Sequence, residues 1–409
     1  PLVVDTIGVD EVMAVIDTLL DRHITMGPRV RELEAAWTSW LFDDSALTGD
    51  SASTGRSAKP ASLMVNSGSS ANLIGVAAFA SPEVDGGLRP GDEILVPAVS
   101  WSTSVYPILQ AGCRPVFVDV DPDTLNLDAA NCEAALSDRT RGILLIHLLG
   151  NPCSMHDLVD LCTRKNLFLF EDCCEAHGAE FQGQKVGTFG DMSSFSFYFS
   201  HHMTTGEGGM LSIRDESRFA DIARSLRAHG WVRERSDRQV FLDANPELDP
   251  RWLFVSQGYN VRSMDLNAAI GLVQLRRLSA WVEDRVRIRA AMAAALEPYA
   301  DRLRFQRVTE DGLHSGFGFS MILRPEAGLD RKRFMASLES RGIECRPLVG
   351  GNMARQPVAR HLDARIAGTL SGADLAHDHG LMIGIHASVT DAQIEHLASA
   401  VGRALQENG

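Results

Sequence analysis

The spacing of apolar positions changes along this chain and divides it into stretches of different structure. Near the N-terminus Val12, Met13, Ile16, Leu19 and Leu20 recur at helical spacing, so residues 1–22 are predicted to form an amphipathic helix with these side chains on one face. A second helix is predicted over 29–41. Residues 43–60 are rich in Ser, Thr, Gly and Asp, which predicts a loop or an insertion. From position 63 onward, short apolar runs alternate with helical segments. The runs at 63–65, 93–97, 115–120, 142–147, 167–170, 193–198 and 209–213 are candidate strands. Such alternation predicts an α/β domain with a mostly parallel sheet.

A turn at Gly258 opens a helix that reaches about 275, and a long helical pattern follows through Val286, Ala290 and Leu296. Beyond it lie candidate strands near 319–323 and 343–346 and helices from 332 and 391. We assign 1–277 to a large domain and 278–409 to a smaller α+β domain, because 409 residues exceed what one compact core usually holds. No internal repeat is visible.

Composition narrows the function classes. Hydrophobic residues make up 45% and charged residues 22%, an ordinary globular balance. No apolar run reaches the ~20 residues that span a bilayer, so no membrane partner is expected. The net charge of −14 is spread along the chain and argues against a nucleic-acid surface, although a local site for a phosphate-bearing small molecule remains compatible with it. The first helix carries no secretory signal. Seven scattered cysteines without a CxxC suit free thiols in a reducing cytoplasm.

Three segments bear chemistry. Asn66-Ser67-Gly68-Ser69-Ser70-Ala71-Asn72 lies between a strand and a helix, where backbone N–H groups and hydroxyls can hold an anion or merely cap the helix. Glu171 and Asp172 end an apolar strand, at the edge where open α/β sheets bind ligands, and an Asp there can face a protonated heterocyclic nitrogen. Phe195-Ser196-Phe197-Tyr198 runs into His201-His202 and then Gly206-Glu207-Gly208-Gly209. The helical histidine spacing of zinc sites is absent, and no metal is expected.

Together these segments resemble the DegT/DnrJ/EryC1/StrS family of sugar aminotransferases, pyridoxal phosphate enzymes of fold type I, the aspartate aminotransferase fold. The resemblance covers nearly the whole chain. It includes Gly27-Pro28, the turn at 66–72, the run at 115–120, Glu171-Asp172, Gly206-Glu207-Gly208-Gly209 and Gly258-Tyr259-Asn260. In that family a lysine tethers the cofactor at the position of His201. The four lysines of this chain, Lys59, Lys165, Lys185 and Lys332, lie elsewhere. One branch of the family has histidine there: the sugar-nucleotide 3-dehydratases, which act on 4-keto-6-deoxy sugars. The segment from Arg346 to Pro357 resembles that branch too. Some of its members carry an iron–sulfur cluster on four cysteines, of which only the position of Cys174 is matched here, so the cluster-free type is the nearer likeness.

The resemblance implies a reaction. Imidazole has no primary amine, so the cofactor would rest untethered as pyridoxamine phosphate, its amine condensing with the C4 ketone of a nucleotide-linked keto-sugar. His201, with an ordinary pKa of about 6.5, would remove a proton from the cofactor's C4′ carbon. The C3 hydroxyl would leave, giving a 3-deoxy ketone and ammonia, and glutamate would restore the amine form. Residue by residue, Asp172 would face the pyridine nitrogen, Glu175 the 3-hydroxyl (where aminotransferases usually have Gln) and Trp101 the ring face. Gly68, Ser69, Ser70 and Ser196 would hold the phosphate. Asn260 would reach it from a neighbouring subunit, which implies a homodimer with shared active sites. His229, Arg346, Asn352 and Arg355 are further candidates for substrate or glutamate contacts. An aminotransferase carrying a Lys→His replacement and a non-catalytic ligand-binding relative are the competing readings. The nucleotide, the sugar, the protonation of Glu175, the role of 43–60 and any part for His202 are not legible in the sequence.

Overall fold

The computed structural model describes residues 1–42 and 59–408; the polar stretch 43–60 therefore falls almost wholly outside the described residues. The chain opens with α1 (Val9–Leu20) and α2 (Pro28–Phe42). An alternating series follows: β1 (Ala61–Val65), α3 (Gly68–Phe79), β2 (Glu93–Pro97), α4 (Ser102–Gln110), β3 (Arg114–Val118), α5 (Ala129–Ala135), β4 (Thr140–Ile146), α6 (Met155–Lys165), β5 (Phe168–Asp172), β6 (Met192–Ser196), β7 (Gly209–Ile213) and α7 (Glu216–Arg227). The long α8 (Asp265–Leu296) leads to β8 (Leu303–Phe305), β9 (Gly318–Leu323), α9 (Arg331–Glu339), β10 (Cys345–Pro347), β11 (Arg365–Ile366), α10 (Ser371–His379), β12 (Gly380–Gly384) and α11 (Asp391–Asn408).

The main sheet has the order β1-β7-β6-β5-β4-β2-β3-β11. Only β7 runs against its neighbours; the pairs from β6 through β11 are parallel. Parallel sheets are covered on both faces, which is why these strands read as unbroken apolar runs. In β4, Leu144 and Ile146 enter the core under α3, α4 and α7, while Ile143 and Leu145 pack on the opposite face with Leu158 and Leu161 of α6. A second sheet, β8-β9-β12-β10, is antiparallel throughout and packs against α9, α11 and the last turns of α8.

Two features differ from the sequence pattern. Position 277, the expected end of the large domain, falls inside the unbroken α8, and the two-residue β11 returns from the C-terminal region to the edge of the main sheet. In α1 the apolar stripe faces outward: Val12, Met13, Ile16, Leu19 and Leu20 are all exposed, while Glu11 and Thr18 are buried. The helix docks through Glu11, which accepts hydrogen bonds from Gln274 and Arg277 of α8 at 2.8 and 2.9 Å. Among the described residues no helix is long and apolar enough to cross a membrane.

Candidate active site

The C-terminal ends of β1, β2, β4, β5 and β6 meet at one edge of the main sheet. The loops that leave them enclose a cavity of about 400 Å³. Gly68, Ser69, Trp101, Asp172, Glu175, Ser196 and His201 all line it. These residues come from the ends of four strands spread over more than a hundred positions, and the sheet edge alone brings them together.

The first wall is the start of α3. Ser67 caps the helix, its hydroxyl accepting the Ser70 N–H at 3.1 Å. The next turn presents backbone N–H groups at the positive end of the helix dipole, a natural anion seat. Two glycines keep the seat open. A Cβ on Gly68 would lie 2.6 Å from Ser196 Cβ and 2.8 Å from Cys174 Sγ. One on Gly209 would fall 2.4 Å from the Ser67 carbonyl carbon and 2.6 Å from the Gly68 nitrogen. The second clash is with backbone and cannot be relieved by a rotamer. Gly209→Ala is therefore expected to cost about 1–3 kcal/mol, read as a melting point lowered by a few degrees together with weakened affinity for a phosphate-bearing ligand. Ser70 points elsewhere: its hydroxyl donates to Asn66 Oδ1 at 2.6 Å.

The acid pair at the end of β5 divides into two tasks, because neighbouring strand residues point to opposite faces. Glu171 is fully buried and accepts N–H bonds from Gly187, Phe189 and Gly190 while touching His147 Nε2 at 3.1 Å. His147 Nδ1 in turn accepts the Cys153 N–H at 2.9 Å. His147, Glu171 and Cys173 stand close enough to resemble a metal site, yet the imidazole and the carboxylate are bonded to each other and to the backbone N–H groups of the loops around them. Asp172 faces the cavity. Its Oδ2 accepts from Asn72 Nδ2 at 2.9 Å and Ser104 Oγ at 2.8 Å, and its Oδ1 from the Cys174 N–H at 3.1 Å. Sequence reasoning singled out neither supporting role; Ser104 was signalled only by being at the start of a helix that follows a strand.

Glu175 extends its Oε2 to the N–H of Leu149 at 2.8 Å. Leu149 holds a left-handed φ of 58°, a conformation a leucine rarely adopts, which aims this N–H at the carboxyl. Burial, with a smaller contribution from nearby Asp172, pushes the Glu175 carboxyl up to about 7, against the lowering effect of the Leu149 bond. The His201 ring sits edge-on to Tyr198 and Phe317, with centroids 6.0 and 5.2 Å away, and its Nδ1 lies 3.4 Å from Ser200 Oγ. Burial, and then the Arg285 guanidinium, lower its pKa to about 3, so the ring is neutral throughout the physiological range. That differs from the ordinary value expected from sequence. His202 faces away from the cavity and bonds the Ser315 carbonyl at 3.1 Å.

Other candidates lie outside the cavity. Asn352 is buried and donates to Asp374 at 2.9 Å. Arg355 pairs with Asp374 and Asp378, and Arg346 with Glu344. His229 Nε2 and Asn260 Oδ1 both meet Arg262, at 3.0 and 3.2 Å, and Asn260 lines a separate cavity of about 360 Å³ beside Trp231 and Arg233. From the segment that holds Arg346, Asn352 and Arg355, Val349 lines the main cavity.

The chain is 37% identical over 338 residues to GDP-4-keto-6-deoxy-D-mannose 3-dehydratase of Escherichia coli O55:H7, covering 82% of this chain and 86% of that protein. It is 33% identical over 404 residues to dTDP-4-dehydro-2,6-dideoxy-D-glucose 3-dehydratase of Saccharopolyspora spinosa, covering 96% and 83%. A crystal structure of GDP-4-keto-6-deoxymannose-3-dehydratase with a trapped PLP-glutamate geminal diamine matches with a TM-score of 0.87 at 34% identity, over 98% of this chain and 99% of that one. The model of the DegT/DnrJ/EryC1/StrS aminotransferase family matches residues 5–402, and the chain belongs to that family.

Proposed function

We propose that this chain is a pyridoxamine phosphate-dependent dehydratase that removes the C3 hydroxyl of a nucleotide-linked 4-keto-6-deoxy sugar. One observation carries the reading: an imidazole, His201, stands in the wall of a cavity that none of the four lysines lines. The cavity suits the cofactor on chemical grounds. Gly68 and Gly209 leave room for a phosphate against the N-terminus of α3. Asp172 offers a carboxylate fixed from two sides, with a lone pair free on Oδ1. When bound, the cofactor supplies the amine that condenses with the sugar ketone and a pyridine ring that takes up the electron pair left by proton loss at C4′.

Each side chain has a task that its environment supports. Gly68, Ser69 and Ser196 receive the phosphate, and Ser70 joins them by turning its hydroxyl from Asn66. Trp101 covers one ring face. Asp172 keeps the pyridine nitrogen protonated through a charge-assisted bond. Glu175, near its midpoint at neutral pH, is able to share a proton with the 3-oxygen. His201 begins neutral, takes the C4′ proton, and as imidazolium gives a proton to the departing hydroxyl. Its low basicity in the bare protein rises once phosphate and diphosphate bring negative charge beside it. Asp172→Asn is expected to lower turnover on the order of a hundredfold with little change in the KM for sugar, checked by steady-state kinetics.

Glutamate closes the cycle: it is oxidised to 2-oxoglutarate, the sugar is reduced and loses an oxygen, and ammonia is released. A homodimer with shared sites accounts for three surfaces. The apolar stripe of α1 is exposed in the single chain, as are Trp101 and Tyr198 at the cavity and Phe199 next to them, and His229 and Asn260 lie outside it. A second copy would cover the first two and carry the third to its neighbour's cofactor. All seven cysteines are free, which suits the cytoplasm. The reading is tested by supplying the enzyme with pyridoxamine phosphate, glutamate and a panel of 4-keto-6-deoxy sugar nucleotides. Formation of a 3-deoxy product with equivalent ammonia supports it; an aminated sugar from every member of the panel defeats it.

A further inference from the structure

His201 and Ser200 line a second cavity as well, of about 290 Å³, whose wall includes Arg285 and His386. Arg285 on α8 is only 6% exposed. Its Nη1 donates to the carbonyls of Gly316, at 3.1 Å, and Ile385, and its remaining N–H groups have no acceptor among the described residues. Nor does any carboxylate among the described residues lie within ion-pair distance of it. The contrast within the chain is informative. Two other arginines are buried as deeply, and each is neutralised twice: Arg227 by Glu34 and Glu234, Arg235 by Glu83 and Asp237. A buried charge without a partner is costly, and proteins pair such charges as a rule.

The surroundings respond to this uncompensated cation. His177, His201, His202 and His386 are all less basic than free imidazole, chiefly through burial and in each case also through Arg285. The His386 ring is fixed through Nδ1, 2.9 Å from Ser388 Oγ, and its Nε2 makes no bond to the described residues. The one carboxylate on the cavity wall, Asp5, is exposed and already accepts the Ile7 N–H at 2.9 Å. The cavity therefore presents a buried cation without a carboxylate partner and is joined to the main site through His201.

We propose that Arg285 and His386 seat a carboxylate of the amino donor, a dicarboxylic amino acid whose amine reaches past His201 into the main cavity. This rests on the reading that an amino acid recharges the cofactor. An amino acid with a second carboxylate is suited to the arrangement, because a flexible chain can span the shared wall while one end is held. A charge-assisted bidentate bond from guanidinium to carboxylate supplies both affinity and orientation.

The test uses holoenzyme in the aldehyde form and follows loss of its absorbance as glutamate is added, a reaction that needs no sugar. Glutarate, which has both carboxylates and no amine, is expected to compete with glutamate in the unaltered protein; absence of competition overturns the proposal whatever the variants do. Arg285→Gln is expected to raise the glutamate concentration at half-maximal rate on the order of thirtyfold, with a much smaller change in the limiting rate. His386→Gln, at a side chain that holds no backbone, is expected to weaken glutarate competition roughly fivefold. An Arg285→Gln protein that keeps its affinity for glutamate but loses affinity for the keto-sugar assigns the seat to the diphosphate and overturns the proposal. Failure of the dehydratase reading would show separately, as no deoxygenation by amine-loaded enzyme, even while glutamate still discharged the aldehyde band.

Discussion

Replacing His201 by Asn is expected to lower deoxygenation by roughly 10³-fold while the protein still folds and binds its cofactor. The magnitude follows from the double duty assigned to one imidazole, which both removes the C4′ proton and protonates the leaving oxygen. Asn is close in polarity and smaller than the ring, and among the described residues His201 makes one side-chain hydrogen bond, 3.4 Å to Ser200, so the fold loses little. His201→Lys separates the two roles of this position. An amine there is expected to capture the aldehyde covalently, giving a band that shifts and a link that borohydride fixes, while deoxygenation disappears. Turnover of the Asn variant within tenfold of the unaltered enzyme would mean that another group handles the proton.

The second large effect is loss of stability in acid. His177, His201, His202 and His314 are each held below the ordinary imidazole value of 6.5, with burial the leading cause in every case. The unfolded chain takes up protons at these four sites as pH falls through 6.5, whereas folded His201 resists to about 3 and the others to well below the ordinary value. The stability associated with these neutral rings is complete above about pH 7 and is lost as pH falls. Glu175 acts in the opposite sense. Its folded carboxyl binds a proton near 7 and its unfolded one only near 4.5, so it gains stability across that window. The buried imidazoles outnumber the one carboxyl, so the unfolded chain binds more protons and the unfolding free energy should fall steadily between about pH 6 and 5. Urea midpoints measured across that range check the slope, and a flat profile would contradict the burial of these rings as neutral groups.

Much of the fold was legible because parallel strands covered on both faces leave continuous apolar runs, and β2 was located to the residue at 93–97. The fold class, the family and the cofactor follow from motifs at strand ends, where backbone geometry and chemistry coincide. What period alone could not reveal is which side of a helix faces in. The stripe of α1 is genuine, yet the helix is docked by Glu11 on partners more than 260 positions away. β11, of two residues, is too short to show a period. The same distance problem limits the site. Asp172 could be read from its strand, but Asn72 and Ser104, which orient it, lie 100 and 68 positions earlier. Arg355 and Asn352 are of a suitable type for substrate contacts, and only the structure brings Asp374 of α10 against both. The low basicity of His201 comes first from burial and then from Arg285, and no motif links that arginine to it.

The untethered cofactor is the claim on which the rest depends, and a single-turnover reaction tests it most directly. Enzyme loaded with pyridoxamine phosphate and free of glutamate is mixed with an excess of keto-sugar nucleotide, and both partners are followed by mass and absorbance. One equivalent of 3-deoxy sugar and one of ammonia per active site, with cofactor that leaves on denaturation without any covalent mark on the protein, is the predicted result. A sugar that has instead acquired the cofactor's nitrogen, or an aldehyde form that borohydride fixes to any side chain, would contradict it.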